Sequence, residues 1–231
     1  MSIPATHAEI EQIYMAAELA DCHSLCITAC QTGEGVTSVA SALAERYLLA
    51  GHQTLLVDLN LFNPAFRNLE LTINSNQQQE YWIENKETHQ LFTGLAIPNE
   101  RATQLAYKDP NTMAKAVAGW MSKFDRVIVD TSPLLQVNKG NIPAQSVASA
   151  CDKTILVVMG GATTSGQIST AMNLLQSEKI DFLGSVLNIK NQPPLSQELV
   201  RELDRIPFIP QSWRERINHW LLKNSFLSVS A

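Results

Sequence analysis

Residues 24–58 read SLCITACQTGEGVTSVASALAERYLLAGHQTLLVD, and this stretch decides the fold. SLCITA (24–29) is a short apolar run of strand length. A polar turn with two glycines follows, and SVASALAERYLLAG (38–51) has helical spacing with Gly51 as its C-terminal stop. QTLLVD (53–58) is a second apolar strand. Strand, turn, helix and strand in that order form the unit from which parallel sheets are built.

Working outward, HAEIEQIYMAAELA (7–20) predicts a helix, with Ile10, Ile13, Tyr14 and Ala17 on one face. Apolar runs at 91–98, 126–130, 154–159 and 182–188 predict further strands, and 207–209 an edge strand. Helices are expected at 111–122, 164–179 and 195–203. Residues 68–91, with Gln77, Gln78 and Gln79 among them, are polar and poorly patterned, and predict a loop or a weak helical excursion. Continuous apolar runs belong to strands covered on both faces. The expected fold is therefore α/β: a doubly wound, mostly parallel sheet with helices on both faces. Residues 1–210 form one domain in this reading, and 211–231 a C-terminal amphipathic helix and tail.

Composition narrows the function classes. Of 231 residues, 45% are hydrophobic, enough for a substantial core, and only 17% are charged, which excludes a disordered or coiled-coil chain. A net charge of −5 with no Lys/Arg block argues against nucleic acid as a partner. Cys22, Cys26 and Cys30 are evenly spaced, but 24–29 reads as a buried strand, so these thiols do not converge as zinc ligands would. Small buried hydrophobes in a reducing, cytoplasmic setting are expected, Cys151 included. The sequence shows no secretory leader, and no apolar run approaches the ~20 residues that a membrane span needs.

The turn between strand and helix carries the chemistry. It reads Cys30-Gln31-Thr32-Gly33-Glu34-Gly35-Val36-Thr37, with Ser38 next. A phosphate-binding loop uses backbone N–H groups and a helix N-terminus to hold phosphates, with glycines allowing close approach. Its lysine adds charge on the β/γ-phosphates, and its Ser/Thr ligates Mg²⁺. Here both glycines and the threonine are present, and Val36 stands in the lysine position. Two further apolar strands end in carboxylates, Asp58 and Asp130. Carboxylates at strand C-termini beside such a loop suit Mg²⁺ and its waters.

GEGVT (33–37), LLVDLNLFNP (55–64), FDRVIVDTSP (124–133), ACDKTILVV (150–158) and FLGSVLN (182–188) fall in an order that resembles the MinD/ParA class of P-loop ATPases. The resemblance is closest to the bacterial tyrosine kinase branch (CpsD/CapB-like) of capsule and exopolysaccharide assembly, and it covers residues 9–210. It implies a phosphate loop formed by Gln31, Thr32, Gly33, Glu34, Gly35, Val36, Thr37 and Ser38. It implies Mg²⁺ supported by Thr37, Asp58 and Asp130, with Asp58 as the catalytic or water-positioning acid in an active member. Asn188 matches the residue that reads the adenine edge, although a turn-forming asparagine at a strand end suits it equally.

The departures from that family are systematic. Val36 replaces the loop lysine, and Gln31 stands where MinD-type proteins carry a second lysine. Asn60 and Phe62 replace the second Asp and the Arg of the family's DxDxRxP. Tyr14 and Ala17 fall on the two arginines of its N-terminal oligomerisation motif, whose glutamate is Glu11. The family's tyrosine-rich tail is missing here: the last tyrosine is Tyr107. The resemblance with these losses implies a degenerate regulatory or scaffolding protein in polysaccharide biosynthesis and export. ATP/ADP and Mg²⁺ would be weakened cofactors. The implied partner is an inner-membrane polysaccharide co-polymerase (Wzz-like) or another assembly component, and a homodimer is a further expected assembly. Two alternatives stand beside it: an ATP-binding tyrosine autokinase or ATPase with an atypical loop, and a MinD/ParA-like positioning protein for a membrane-bound complex. SWRERINHWLLKNSF (212–226) places Trp213, Ile217, Trp220 and Leu221 at helical spacing. This amphipathic helix is suited to packing on its own domain or to a membrane interface, so a location peripheral to the inner membrane is expected, through a partner or through this helix.

Overall fold

The computed structural model describes residues 3–61, 64, 80–84, 91–96, 100–136, 140–190, 195–205 and 211–224. Its elements run α1 (Ala8–Leu19), β1 (Ser24–Ala29), α2 (Val36–Leu49), β2 (Thr54–Asp58), β3 (Glu80–Glu84), β4 (Leu91–Leu95), α3 (Arg101–Ala106) and α4 (Pro110–Met121). They continue with β5 (Arg126–Asp130), α5 (Ala144–Ala148), β6 (Lys153–Met159), α6 (Ser165–Ser177), β7 (Phe182–Asn188), α7 (Leu195–Asp204) and α8 (Gln211–Lys223).

The strands form one seven-stranded sheet in the order β3-β4-β2-β5-β1-β6-β7. β1 pairs in parallel with both β5 and β6, and β2 in parallel with β5 and β4. β3 alone among the described pairings is antiparallel, to β4. The mostly parallel α/β sheet expected from the sequence is what the chain forms.

Alternation along each central strand divides the core between the two faces of the sheet. Leu25, Ile27 and Ala29 of β1, Leu56 of β2, Ile128 of β5 and Ile155 of β6 pack with α1 and α2 residues such as Ile10, Ala17, Leu43 and Tyr47. Their neighbours Cys26, Leu55, Val57, Val127, Val129 and Leu156 pack on the other side with Met113, Val117, Val147, Ala171 and Leu175 of α4, α5 and α6. All four cysteines are free thiols, three of them buried. Burial pushes Cys26 up to about 12 and Cys30 up to about 11, so these thiols behave as apolar core groups.

Three features differ from the sequence reading. Residues 80–84 are a strand, where a loop or weak helix was expected. EYWIE owes its extended form to a five-residue antiparallel register with β4 rather than to a pattern of its own. The short helices α3 and α5 have no helical period in the sequence. α2 begins at Val36, two residues before the predicted start, because the glycine turn runs straight into its first turn. Residues 68–79 and 85–90, Phe62, and the predicted edge strand 207–209 lie outside the described residues.

The chain divides into two compact units. The first comprises residues 1–158 and 163–187 and holds α1 to α6 with most of the sheet. The second comprises 159–162 and 188–231 and holds α7 and α8. In α8, Leu221 is buried, whereas Trp213 and Trp220 are exposed. The four apolar residues that the sequence groups on one face of this helix are therefore split between an inner and an outer side.

Candidate functional site

At β1 the strand order reverses, with β5 and β2 on one side and β6 and β7 on the other. In open α/β sheets the crevice outside the carboxyl ends of the strands at such a point is the place for ligands. The loop 30–37 leaves β1 at that end. Gly33 has φ 81° and Gly35 has φ 102°, conformations that any side chain strains. A Cβ placed on Gly33 would meet nothing within 4 Å, so the space above the loop is open.

Gly35 is the N-cap of α2 and supplies no capping side chain, and the first turn of the helix contains no acidic residue. The leading N–H groups of α2 therefore remain available to an anion, and the helix dipole favours negative charge there. This backbone geometry is of the kind that a phosphate cradle uses.

The side chains tell a different story. Val36 is buried at 8% exposure and belongs to the apolar cluster beneath α1 and α2. Glu34, with 4% exposure, folds back into the loop. Its Oε2 accepts from the Cys30 N–H at 2.9 Å and its Oε1 from the Thr163 hydroxyl at 2.5 Å. Gln31, placed where a second lysine would stand, accepts through Oε1 from the side-chain amide of Gln136. Thr32 is exposed, and Ser38 is half-buried in the first turn of α2.

Asp58 and Asp130 are register partners at the ends of β2 and β5, and both are buried. The Thr37 hydroxyl donates to Oδ2 of Asp130 at 2.5 Å. Oδ1 of Asp58 accepts from the Asn60 N–H at 3.0 Å, which turns the chain back at the strand end. Burial pushes the Asp130 carboxyl up to about 8, with Asp58 adding to the rise and hydrogen bonding from Thr37 and Asn60 opposing it.

The structure thus brings Thr37, Asp58 and Asp130 together. Oδ1 of Asp130 is buried without a hydrogen-bond partner of normal geometry among the described residues. A buried carboxylate oxygen beside a second carboxylate and a hydroxyl is a hard-oxygen donor set of the kind Mg²⁺ prefers. These three residues fit the ion and would hold it, directly or through its waters. Bound there, Mg²⁺ would neutralise phosphate charge at the mouth of the loop.

Asn188 ends β7. Its carbonyl accepts from the Gly160 N–H at 2.8 Å, and its side-chain Oδ1 accepts from the Lys190 N–H at 3.1 Å. That is the turn-forming arrangement. Gln136 and Thr163 were not singled out from the sequence. The only signal for Thr163 was its place before a helix start, where Thr164 and Gln167 form a capping box.

No family model matches the chain. Among curated proteins it resembles bacterial tyrosine kinases. It is 29% identical to the tyrosine-protein kinase YwqD of Bacillus subtilis over 72% of this chain and 72% of that protein. It is 26% identical to the tyrosine-protein kinase CpsD of Streptococcus agalactiae over 73% of this chain and 76% of that protein. The fold is that of the kinase domain of the Escherichia coli tyrosine kinase Etk, with TM-score 0.60 and 22% identity over 81% of this chain and 80% of that one. It is also that of MinD from Pyrococcus horikoshii, solved with Mg-ADP, with TM-score 0.54 and 16% identity over 84% of this chain and 76% of that one. The P-loop ATPase fold and the likeness to bacterial tyrosine kinases, expected from the sequence, both stand.

Proposed function

We propose that this chain is a catalytically degenerate counterpart of the bacterial tyrosine kinases. In this reading it acts as a regulatory or scaffolding partner in exopolysaccharide or capsule biosynthesis and export, with weak or no ATP turnover. The observation that carries the reading is Val36, buried in the apolar core from a loop that keeps its glycine geometry. The cradle offers backbone N–H groups but no lysine, and it carries Glu34, Asp58 and Asp130 nearby. No side chain of the loop 30–37 offers a triphosphate a positive charge, so Mg²⁺ is its remaining counter-charge. Losing one charge-assisted contact to a phosphate costs on the order of 1.5–3 kcal/mol. Phosphoryl transfer depends almost wholly on positioning and charge stabilisation, so its rate suffers more than binding does.

The roles of Asp58, Thr37, Asp130 and the loop backbone are in this reading those of a residual Mg-nucleotide site. The partner is an inner-membrane polysaccharide co-polymerase or a similar assembly component, which places the chain at the inner face of that membrane. Among the described residues no helix is long and apolar enough to cross a membrane.

Calorimetric titration of the purified chain with Mg-ATP, combined with assays for phosphate release and phosphotyrosine, tests the proposal. Binding weaker than micromolar and no turnover are expected. Micromolar binding with turnover overturns it in favour of a second reading, an ATPase or autokinase with an atypical loop. One observation speaks for that alternative: the Thr37–Asp130 hydrogen bond and the neighbouring Asp58 retain the oxygen donors of a metal site.

A further inference from the structure

The two end strands of the sheet differ in charge. β3 reads EYWIE, with Glu80 and Glu84 at its limits, whereas β7 reads FLGSVLN and has no charged residue and no proline. Charges and prolines are common guards of an edge strand, whose outward N–H and C=O groups otherwise invite a further strand. β7 has neither guard, and its surroundings are open. Ser185 at its centre is exposed, Leu187 is 64% exposed, and a Cβ built on Gly184 would meet nothing within 4 Å.

The open edge continues into an apolar groove. A groove of about 340 Å³ lies between α1 and β7, walled by Ile13 and Ala16 on one side and by Leu183, Val186 and Leu187 on the other. The apolar surface runs on over the outer flank of α1. Met15 stands three residues from Gln12 of the groove wall and Leu19 three from Ala16, and they are 48% and 83% exposed. The inner side of the same helix is buried through Ile10 and Ala17. A helix that is apolar on two opposite sides belongs between two layers. The exposure of Met15 and Leu19 leaves the second side uncovered.

We propose that β7 pairs antiparallel with β7 of a second copy of this chain, about a two-fold axis at Ser185, joining the two sheets edge to edge. Charge selects this occupant. A two-fold axis sets a strand against its own sequence. Self-pairing of β3 about Trp82 would set Glu80 against Glu84 of the other copy, a like-charge contact that destabilises a sheet. Self-pairing of β7 opposes no charges at all. Each copy carries a net charge of −5, so two copies attract only where charge is sparse or engaged. The three glutamates of the flanking α1 are engaged within the chain: Glu9 with His7, Glu11 with Arg46 and Glu18 with Arg126. Shape agrees with charge. The pairing sets the exposed Leu187 of each copy opposite Leu183 of the other, and directly opposed residues share a face of the sheet. The sequence leaves an expected homodimer without a surface; β7 gives it one, whether or not the chain turns over ATP.

Sedimentation equilibrium of the full chain without nucleotide tests this. The mass of two chains is expected for the wild type and that of one chain for Ser185→Lys, which opposes two ammonium groups on the axis. Leu187→Ser should weaken the dimer about tenfold or more, because two buried leucines are lost. Ser185→Cys should cross-link the dimer under copper–phenanthroline, since opposed Cα atoms of an antiparallel pair lie about 4.5–5.5 Å apart, within disulfide reach. Ser177→Cys, exposed at the end of α6, should not cross-link. Far-UV circular dichroism of every variant should match the wild type, because the replaced side chains are exposed. A wild-type chain that stays monomeric overturns the proposal. So does a dimer that survives Ser185→Lys, or one in which Ser185→Cys and Ser177→Cys cross-link equally. A dimer that forms only with Mg-ATP and is indifferent to Ser185→Lys also overturns it, because that pairing uses another face.

Discussion

Val36 and Asp130 show how single residues set what the loop can do. Val36 fills a lysine position with a buried methyl pair, so the loop presents dipoles but no formal positive charge. Val36→Lys should restore a phosphate contact and tighten Mg-ATP binding by about tenfold or more, measured by calorimetry, whereas Val36→Ala should not. Equal affinities for the two variants would remove the missing lysine as the cause of weak binding. Asp130 makes a pH-dependent prediction for the unliganded chain. Its carboxyl is raised from 3.8 to about 8, so the native state holds that proton more tightly than the unfolded state does. The associated stability is fully present below the unfolded value and is lost as pH rises through the folded one. Denaturant midpoints should therefore fall between acidic and mildly alkaline pH, and Asp130→Asn should flatten that fall; an unchanged slope in the variant would exclude Asp130 as its source. Much of this site was legible from residue type and position alone: Gly33 and Gly35, Thr37, and two apolar strands each ending in Asp. The inward fold of Glu34 and the Gln31–Gln136 pair were not, because both depend on loops brought together by the sheet across more than a hundred residues of chain.

Helix α6 shows how one element supports the site. Thr164 and Gln167 cap its N-terminus reciprocally, with the Gln167 N–H donating to the Thr164 hydroxyl at 3.3 Å and the Thr164 N–H to Gln167 Oε1 at 2.8 Å. This fixes the turn that delivers Thr163 to Glu34. Thr164→Ala should cost about 1 kcal/mol in chemical denaturation. A loss indistinguishable from zero would mean that packing of Ala171 and Leu175 alone holds the helix start. The same capping box illustrates which elements a sequence reveals. β1, β2, β5 and β6 are apolar runs because both of their faces are covered, and α1, α2 and α4 have a period because one face is buried. β3 has neither signature: it lies at the end of the sheet and is extended by its pairing with β4. α5 spans five residues, four of them buried, too short and too enclosed for an amphipathic pattern to develop.

At the scale of the whole molecule, one sheet separates two cores, and this separation has a measurable consequence. Leu43 of α2 lies wholly buried against one face, with Leu25, Ile27 and Ile128 in its cluster. Met113 of α4 lies wholly buried against the other, with Val127, Val129 and Leu156 in its cluster. The two clusters share strands but no residues, because successive positions of β1, β2, β5 and β6 point to opposite sides. Truncating either side chain leaves a cavity that close-packed neighbours fill only in part, so Leu43→Ala and Met113→Ala should each cost about 2–5 kcal/mol. If the sheet is a stiff divider, neither cavity relaxes into the other. The double variant should then lose the sum of the two single losses to within about 0.5 kcal/mol. If the backbone of the central strands shifts to fill one cavity, it alters the packing on the opposite face, and the sum will fail by more than that margin. Urea denaturation of the four chains decides between the two. Additivity would identify the sheet as the rigid frame on which the glycine loop of β1 and the aspartates of β2 and β5 are held at fixed separation. Non-additivity would mean that the geometry of Asp58 and Asp130 responds to packing on both faces.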